Sequence, residues 1–173
     1  MPPFSGSSAS VLPHAVGTWT MAGPTIAGFS VGNLGKRAHG TMPVTSATFE
    51  VTKDGHIRNV HAILDIGSIH TGIAKRDQDL RKRGLLDQDN YPQLTFTGTQ
   101  VVAIEQGWTV VGMLTVKGTT REITLDVTEE DRSDGAVRLR LTGQLDRRHY
   151  GIKAPRLLIG ALVDIEIDAT FTR

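Results

Sequence analysis

The sequence predicts an all-β fold built from eight mostly antiparallel strands. From Gly17 onward, apolar and polar residues alternate, which is typical of strands that bury one face. Turn-forming dipeptides separate the alternating segments: Asp54-Gly55, Gln106-Gly107, Lys117-Gly118 and Asp134-Gly135. Strands of this kind bury their apolar faces in a sandwich or in a closed barrel, and closure also removes exposed edges.

The alternation places the strands in chain order. The predicted strands cover residues 25–33, 44–53, 56–66, 94–105, 108–117, 121–128, 136–145 and 163–172. The last strand shows the pattern clearly, with one apolar face formed by Val163, Ile165, Ile167, Ala169 and Phe171. At about eight strands, a barrel interior is wide enough for packed side chains or for one small ligand.

One segment, SIHTGIAKRDQDLRKRGLL at residues 68–86, breaks the period of two and predicts a short helix over residues 73–83. Thr71 is the expected N-cap, and Gly84 is the expected residue just after the helix. Apolar residues are few here, so we expect the helix to cover the barrel without being buried itself.

The same segment is strongly charged. Its basic residues are Lys75, Arg76, Arg81, Lys82 and Arg83. We expect Asp77 to pair with Arg81 and Asp79 with Arg83, because residues four apart are neighbours on a helix. Aromatic residues make up only 5% of the chain, which leaves few stacking partners for bases. A solvated helix face is favoured, and no nucleic-acid partner is expected.

Composition sets further bounds. The 173 residues fit one domain, and 19 Lys and Arg against 18 Asp and Glu leave a net charge of +1. The chain has no cysteine, which excludes disulfides and thiolate metal sites. We expect residues 1–16 to be a flexible N-terminal tail and residues 17–173 to be the barrel domain. Without a recognisable signal or a long apolar run, we expect a cytoplasmic protein with no stable membrane insertion.

Three motifs are weak when their context is considered. GFSVG at residues 28–32 matches a hydrolase nucleophile pattern, but Ser30 falls inside an alternating strand and no helix follows. The six histidines show no ligand spacing, and the acidic runs lack the glycine and glutamate of a calcium loop. We therefore expect neither a metal ion nor another cofactor.

RRHYGIKAP at residues 147–155 joins two predicted strands and leaves two interpretations open. Its guanidinium groups match a phosphate or another polar headgroup. Alternatively, it is a structural loop in which Arg147 pairs with a carboxylate such as Asp77.

Three stretches, in order, resemble the YceI-like family. The first is residues 68–96, through Ser68, Ile69, Thr71, Gly72, Arg76, Asp77, Leu80, Arg81, Tyr91, Pro92 and Phe96. The second is residues 112–127, through Gly112, Leu114, Thr115 and Gly118. The third is residues 146–152, through Arg147, Tyr150, Gly151 and Ile152. The resemblance covers nearly all of residues 17–173.

The resemblance implies an extended, lipocalin-like, eight-stranded antiparallel barrel with a helical cover. It also implies a hydrophobic tunnel that takes polyisoprenoids or related long-chain amphiphiles, and a homodimer. Our main hypothesis is therefore a binding protein, with no catalytic residues, that carries a polyisoprenoid, an isoprenoid quinone or a fatty-acid-like lipid.

The strand pattern then suggests residues for the tunnel wall. The expected lining residues are Phe29, Val31, Leu80, Leu85, Leu86, Phe96, Leu114, Leu125, Leu139, Leu141, Val163, Ile165 and Ile167. Arg76 and Asp77 are expected to form an ion-paired anchor for the cover, and Arg147 and Tyr150 are further candidates for contact with a headgroup.

Two other hypotheses remain. One is an enzyme of cyclase or isomerase type acting on a hydrophobic molecule in the same cavity, which an inward-facing His61 or Asp65 would favour. The other is a barrel filled by its own side chains that acts through its surface.

Overall fold

The computed structural model describes residues 16–33, 35–105, 107–133, 135–153 and 159–173. The predicted tail lies outside these residues except for Val16, and so does the end of the RRHYGIKAP segment. The strands are β1 Gly17–Met21, β2 Thr25–Asn33, β3 Lys36–Val51, β4 Ile57–Asp65, β5 Gln93–Ile104, β6 Gly107–Val116, β7 Thr119–Ser133, β8 Ala136–Asp146 and β9 Ile159–Thr172. One α-helix, α1, spans Ala74–Arg81, and two 3₁₀ turns span Ile66–Ser68 and Arg147–Tyr150.

The strands from β2 to β9 form a closed, antiparallel, eight-stranded barrel, which confirms the predicted fold. Each strand from β2 to β8 pairs with the strand that follows it in the chain, including β3 with β4. The pairing of β9 with β2 closes the barrel. The short strand β1, which the alternation did not predict, continues the position of β2 along the barrel wall. It pairs with the last residues of β3 and β9.

β3 begins eight residues before the predicted strand, at Lys36 instead of residue 44. The residues in between, KRAHGTMP, contain few apolar side chains, and Gly40 interrupts the spacing of two between Ala38 and Met42. They become a strand because β2 pairs with them from Asn33↔Lys36 onward. Pairing within the β2–β3 hairpin overrides local propensity here.

Two ends of the barrel differ in how they are closed. At one end lie α1 and the 3₁₀ turn Arg147–Tyr150, together with the β2–β3 and β6–β7 turns. We call this the cover end. The other end holds the β3–β4, β5–β6 and β7–β8 connections and the last residues of β9. We call it the floor end. No helix among the described residues is long and apolar enough to cross a membrane.

The helix differs from its prediction at both ends. The N-cap is Ile73, with no side-chain cap hydrogen bond, and the C-cap is Lys82, so Thr71 and Gly84 do not cap it. Thr71 is instead engaged by Asp77: its backbone N–H donates to Asp77 Oδ1 over 2.8 Å, and its hydroxyl donates to the same oxygen. The Asp77 carboxylate thus accepts hydrogen bonds from the loop just before the helix, which the rules for helix caps do not anticipate.

Candidate ligand-binding cavity

A cavity of about 640 Å³ occupies the barrel interior. It is lined by inward-facing residues from all nine strands and by residues 69–86 of the connection between β4 and β5. Its wall is overwhelmingly aliphatic and aromatic, because the alternation of each strand sends one apolar set inward. This volume lies within the range of about 300–1,000 Å³ that is usual for ligand pockets.

Every tunnel-lining residue predicted from the sequence lies on this cavity: Phe29, Val31, Leu80, Leu85, Leu86, Phe96, Leu114, Leu125, Leu139, Leu141, Val163, Ile165 and Ile167. The sequence reasoning omitted several wall residues of β3, β4 and β6, including Met42, Val44, Phe49, Ile57, Val60, Trp108 and Val110. A period of two could have found Met42 and Val44, had β3 been predicted to start earlier.

Irregularities in β4 hide part of its inward face. Ile57 and Val60 both line the cavity although they are three residues apart. Asn59 between them has a left-handed φ of 53°, and the β3–β4 register shifts nearby. Such a bulge adds one residue and resets the alternation, which explains why a strict period of two fails here.

The floor end of the cavity is closed by two layers of buried side chains. Phe49, Trp108 and Phe171 line the cavity. Trp19 and Val137 are equally buried but do not line it, so they lie behind the first layer. The cavity is therefore blind at this end.

The cover end is where charged side chains reach the cavity. Among the described residues, the charged or titratable ones that line it there are His39, Lys75, Arg76, Asp79, Arg147 and Lys153. Four of these are Lys or Arg, against one carboxylate, which makes this mouth of the cavity basic. An amphiphile fits this arrangement with its tail inward and its polar or anionic group at the mouth.

Arg76 is held at the mouth through Thr71 and not, as expected, by a direct ion pair with Asp77. Its Nε donates to Thr71 Oγ1 over 2.9 Å, and its Nη2 donates to the Thr71 carbonyl over 3.1 Å. Asp77 in turn accepts both Thr71 donors. Among the described residues, Arg76 has no carboxylate partner, so its charge stays available at the mouth.

Asp77 is buried and does not line the cavity. The hydrogen bond from the Thr71 side chain is the main cause that lowers its pKa, with smaller contributions from the Thr71 backbone and from His70 and Arg81. Its Oδ2 lies 3.5 Å from His70 Nδ1. The backbone of His70 pairs with Thr41 of β3, so this carboxylate joins the helix to the segment that fixes the cover to the barrel.

The predicted helical ion pairs are not formed. Arg81 Nη2 donates instead to the Ile69 carbonyl over 3.2 Å. Asp79 pairs with Lys75 at 3.6 Å and with Lys82 at 3.0 Å, and the hydrogen bond from Lys82 is the main cause that lowers its pKa. The helix ends at Arg81, which places the following residues outside the i,i+4 geometry of a longer helix.

Arg147 lines the mouth, and hydrogen bonds from its side chain and from its neighbours hold the turn in which it lies. Its Nε donates to the Gly160 carbonyl over 2.8 Å and its Nη1 to the Ile152 carbonyl over 2.9 Å. The neighbouring Asp146 binds Arg148 through both carboxylate oxygens, at 3.0 and 2.7 Å, and this contact lowers the pKa of Asp146.

Tyr150, the other headgroup candidate, does not line the cavity. It is only 2% exposed, and burial raises the pKa of its phenol. Among the described residues its hydroxyl has no hydrogen-bond partner. Tyr150 thus belongs to the packing beneath the turn Arg147–Tyr150.

The two residues that would favour an enzyme do not supply a free acid or base to the interior. His61 borders the cavity, but its side chain is exposed and its Nδ1 lies 3.3 Å from Thr97 Oγ1. Asp65 accepts hydrogen bonds from the Gly67 N–H and the Ser68 hydroxyl, both over 2.9 Å. Within the described part of the chain, no group of three or more His, Asp or Glu is placed to hold a metal ion.

Solved structures with the same architecture include two that cover most of this chain. BcnA of Burkholderia cenocepacia superposes with a TM-score of 0.69 at 14% identity, over 84% of this chain and 95% of that one. A polyisoprenoid-binding domain from Saccharophagus degradans, implicated in plant cell wall breakdown, gives a TM-score of 0.65 at 15% identity, over 89% and 97%. At these identities the likeness shows a shared fold.

Sequence relatives include a UPF0312 protein of Yersinia enterocolitica, 38% identical over 81 residues. A UPF0312 protein of Yersinia pestis is 35% identical over the same length. In both, the matched segment covers 47% of this chain and only 42% of the relative. The family model of the YceI-like domain matches residues 19–171, which is almost the whole barrel. The chain therefore belongs to the YceI-like domain family.

Proposed function

We propose that this protein binds and carries a long-chain amphiphile, such as a polyisoprenoid, an isoprenoid quinone or a fatty-acid-like lipid. The observation that carries the proposal is the blind apolar cavity with charged side chains gathered at one mouth. Each buried methylene of a tail contributes about 0.8 kcal/mol, so a long tail needs no polar anchor in the interior. The polyisoprenoid binding of the Saccharophagus degradans neighbour supports the same ligand class.

In this proposal the headgroup lies at the cover end, near Arg76 and Arg147. Asp77 acts indirectly, because it holds Thr71, which in turn orients Arg76. Tyr150 supports the turn that carries Arg147 and does not contact the ligand. The protein acts as a carrier and not as an enzyme, since the apolar tail meets an aliphatic and aromatic wall.

The direct test is native mass spectrometry of the purified protein, followed by organic extraction and lipid identification. We expect a co-purified long-chain species, or binding of an added prenyl compound such as geranylgeraniol. The control is a matched pair of variants on β2. Ala27 lines the cavity and is buried, whereas the adjacent Ile26 is 50% exposed on the outer face.

Ala27→Phe should reduce ligand binding strongly, because the ring fills part of the cavity, while Ile26→Phe should leave binding unchanged. If no long-chain compound binds the wild-type protein, or if both variants bind equally well, the proposed function is wrong. Turnover of the bound prenyl compound into a new product would instead favour the enzyme.

Residence in the cytoplasm and assembly as a homodimer stay predictions. Cell fractionation tests the first. Light scattering coupled to size-exclusion chromatography tests the second, with a mass of twice 18.7 kDa as the expected result.

A further inference from the structure

We propose that the floor of the cavity sets an upper limit on the length of the bound tail, and that Phe49 and Phe171 are the residues that fix this limit. The inference rests on the proposed function, because it concerns which tails the same cavity accepts. It adds a limit on tail length to the proposed ligand class.

The first layer of the floor is buried and aromatic. Phe49 and Phe171 are 5% and 6% exposed, and both line the cavity. Their ring centroids are 5.0 Å apart at an interplanar angle of 65°, an edge-to-face contact that holds each ring in place. Trp108, near the start of β6, also lines the cavity. A tail that reaches these rings meets a packed surface.

The second layer seals the floor from solvent. Trp19 stacks on Phe49 with centroids 6.1 Å apart and an interplanar angle of 3°, and it does not line the cavity. The guanidinium of Arg173 lies 5.6 Å from the centroid of the Trp19 ring. Because this layer stands behind the first, a smaller side chain at Phe171 deepens the cavity without opening it to water.

The register of β9 gives the available depth. Val163 lines the cavity near the mouth and Phe171 lines it at the floor, eight residues further along the same strand. At ~3.3 Å per residue this is about 26 Å along the strand, and about 20 Å along the axis of a barrel whose strands tilt by ~35–45°. A fully extended tail longer than this depth must fold back or protrude from the mouth.

The test measures the affinities of geraniol, farnesol, geranylgeraniol and solanesol for the wild-type protein and four variants. Phe171→Leu and Phe49→Leu each lower the floor, and the use of two variants guards against one that does not fold. Ala169→Leu raises the floor, because Ala169 lines the cavity two residues above Phe171. Val163→Ala is the control, since it shortens a side chain of the same strand near the mouth and leaves the floor unchanged.

For the wild type we expect affinity to rise with tail length and then to stop rising. Phe171→Leu or Phe49→Leu should raise affinity by about fourfold for tails beyond that point, since the smaller side chain leaves room for roughly one further methylene. Ala169→Leu should move the limit to shorter tails, and Val163→Ala should leave it in place.

Two results would overturn the inference, and they differ in what they say about the proposed function. If prenyl alcohols bind but no floor variant changes the tail length at which affinity stops rising, the floor does not set that length, while the carrier proposal stands. If no alcohol of any length binds, both proposals fail together.

Discussion

The ring of Phe29 covers Gly40, its directly paired partner across the β2–β3 hairpin, so closely that a Cβ on Gly40 would overlap the ring. A similar contact occurs on the opposite wall, where the ring of Phe96 covers Gly112, which lies two residues from its paired partner Leu114. Both rings line the cavity. The glycines let each ring lie back against the barrel wall, which keeps the interior open for a ligand.

This arrangement predicts the effect of one methyl group. Gly112→Ala should push the Phe96 ring inward and crowd the Thr97 carbonyl, destabilise the protein by about 1–3 kcal/mol and weaken ligand binding. Thermal unfolding and a prenyl alcohol titration measure the two effects. Gly32→Ala is the matched control, because its Cβ would have no neighbour within 4 Å. Equal behaviour of the two variants would contradict the role assigned to Gly112.

The position of the tryptophans predicts a spectroscopic signal. The chain contains two tryptophans, and only Trp108 lines the cavity, while Trp19 lies behind the floor. Addition of geranylgeraniol should therefore change the emission of the Trp19→Phe variant nearly as much as that of the wild type. The Trp108→Phe variant should lose most of the change. A full response in Trp108→Phe would place the ligand elsewhere.

The basic mouth predicts a preference for anionic headgroups. Arg76→Gln and Lys153→Gln should each weaken binding of geranylgeranyl phosphate by about twofold to fivefold, the range of exposed ion pairs. Binding of neutral geranylgeraniol should change little. Because exposed charges are screened, added salt should reduce the difference between the two ligands. Arg83→Gln is the control, since Arg83 is exposed and does not line the cavity. Equal losses for both ligands would argue against a headgroup contact.

The carboxylate of Asp77 predicts a pH-dependent stability of the cover. Its pKa is lowered from the ordinary value of 3.8, so the ionised form is favoured in the folded state. The stabilisation that the ionised carboxylate gives the folded state is fully present above the pKa that Asp77 has in the unfolded chain. It is lost as the pH falls through the lower pKa that Asp77 has in the folded protein. Asp77→Asn should lower the Tm by several degrees near neutral pH, with a difference from wild type that shrinks toward about pH 3.

Thermal unfolding across this pH range, with Asp89→Asn as the control, checks the prediction for Asp77. Asp89 is exposed in the same connecting segment. A difference between Asp77→Asn and wild type that stays constant or grows on acidification would show that the carboxylate charge does not stabilise the cover.

The sequence by itself determined the one-sided strands and the composition of the interior, and its resemblance to the YceI-like family added the closed barrel. Alternation along β9 sends Val163, Ile165 and Ile167 inward, and nothing beyond the period of two is needed to predict it. The same is true of Leu139 and Leu141 on β8. Their side-chain direction follows from strand geometry alone, which is why these wall residues were predictable.

Only the tertiary structure decided how the two ends are built. Thr71 hydrogen-bonds to Asp77 and Arg76 and does not cap the helix. The bulge at Asn59 changes which residues of β4 face inward. Trp19 reaches the floor because β1 pairs with the ends of β3 and β9, far away in sequence. The bulge and the position of Trp19 depend on pairing between separate strands, and the Thr71 contacts depend on side-chain geometry around the helix start. Local propensity carries no information about either.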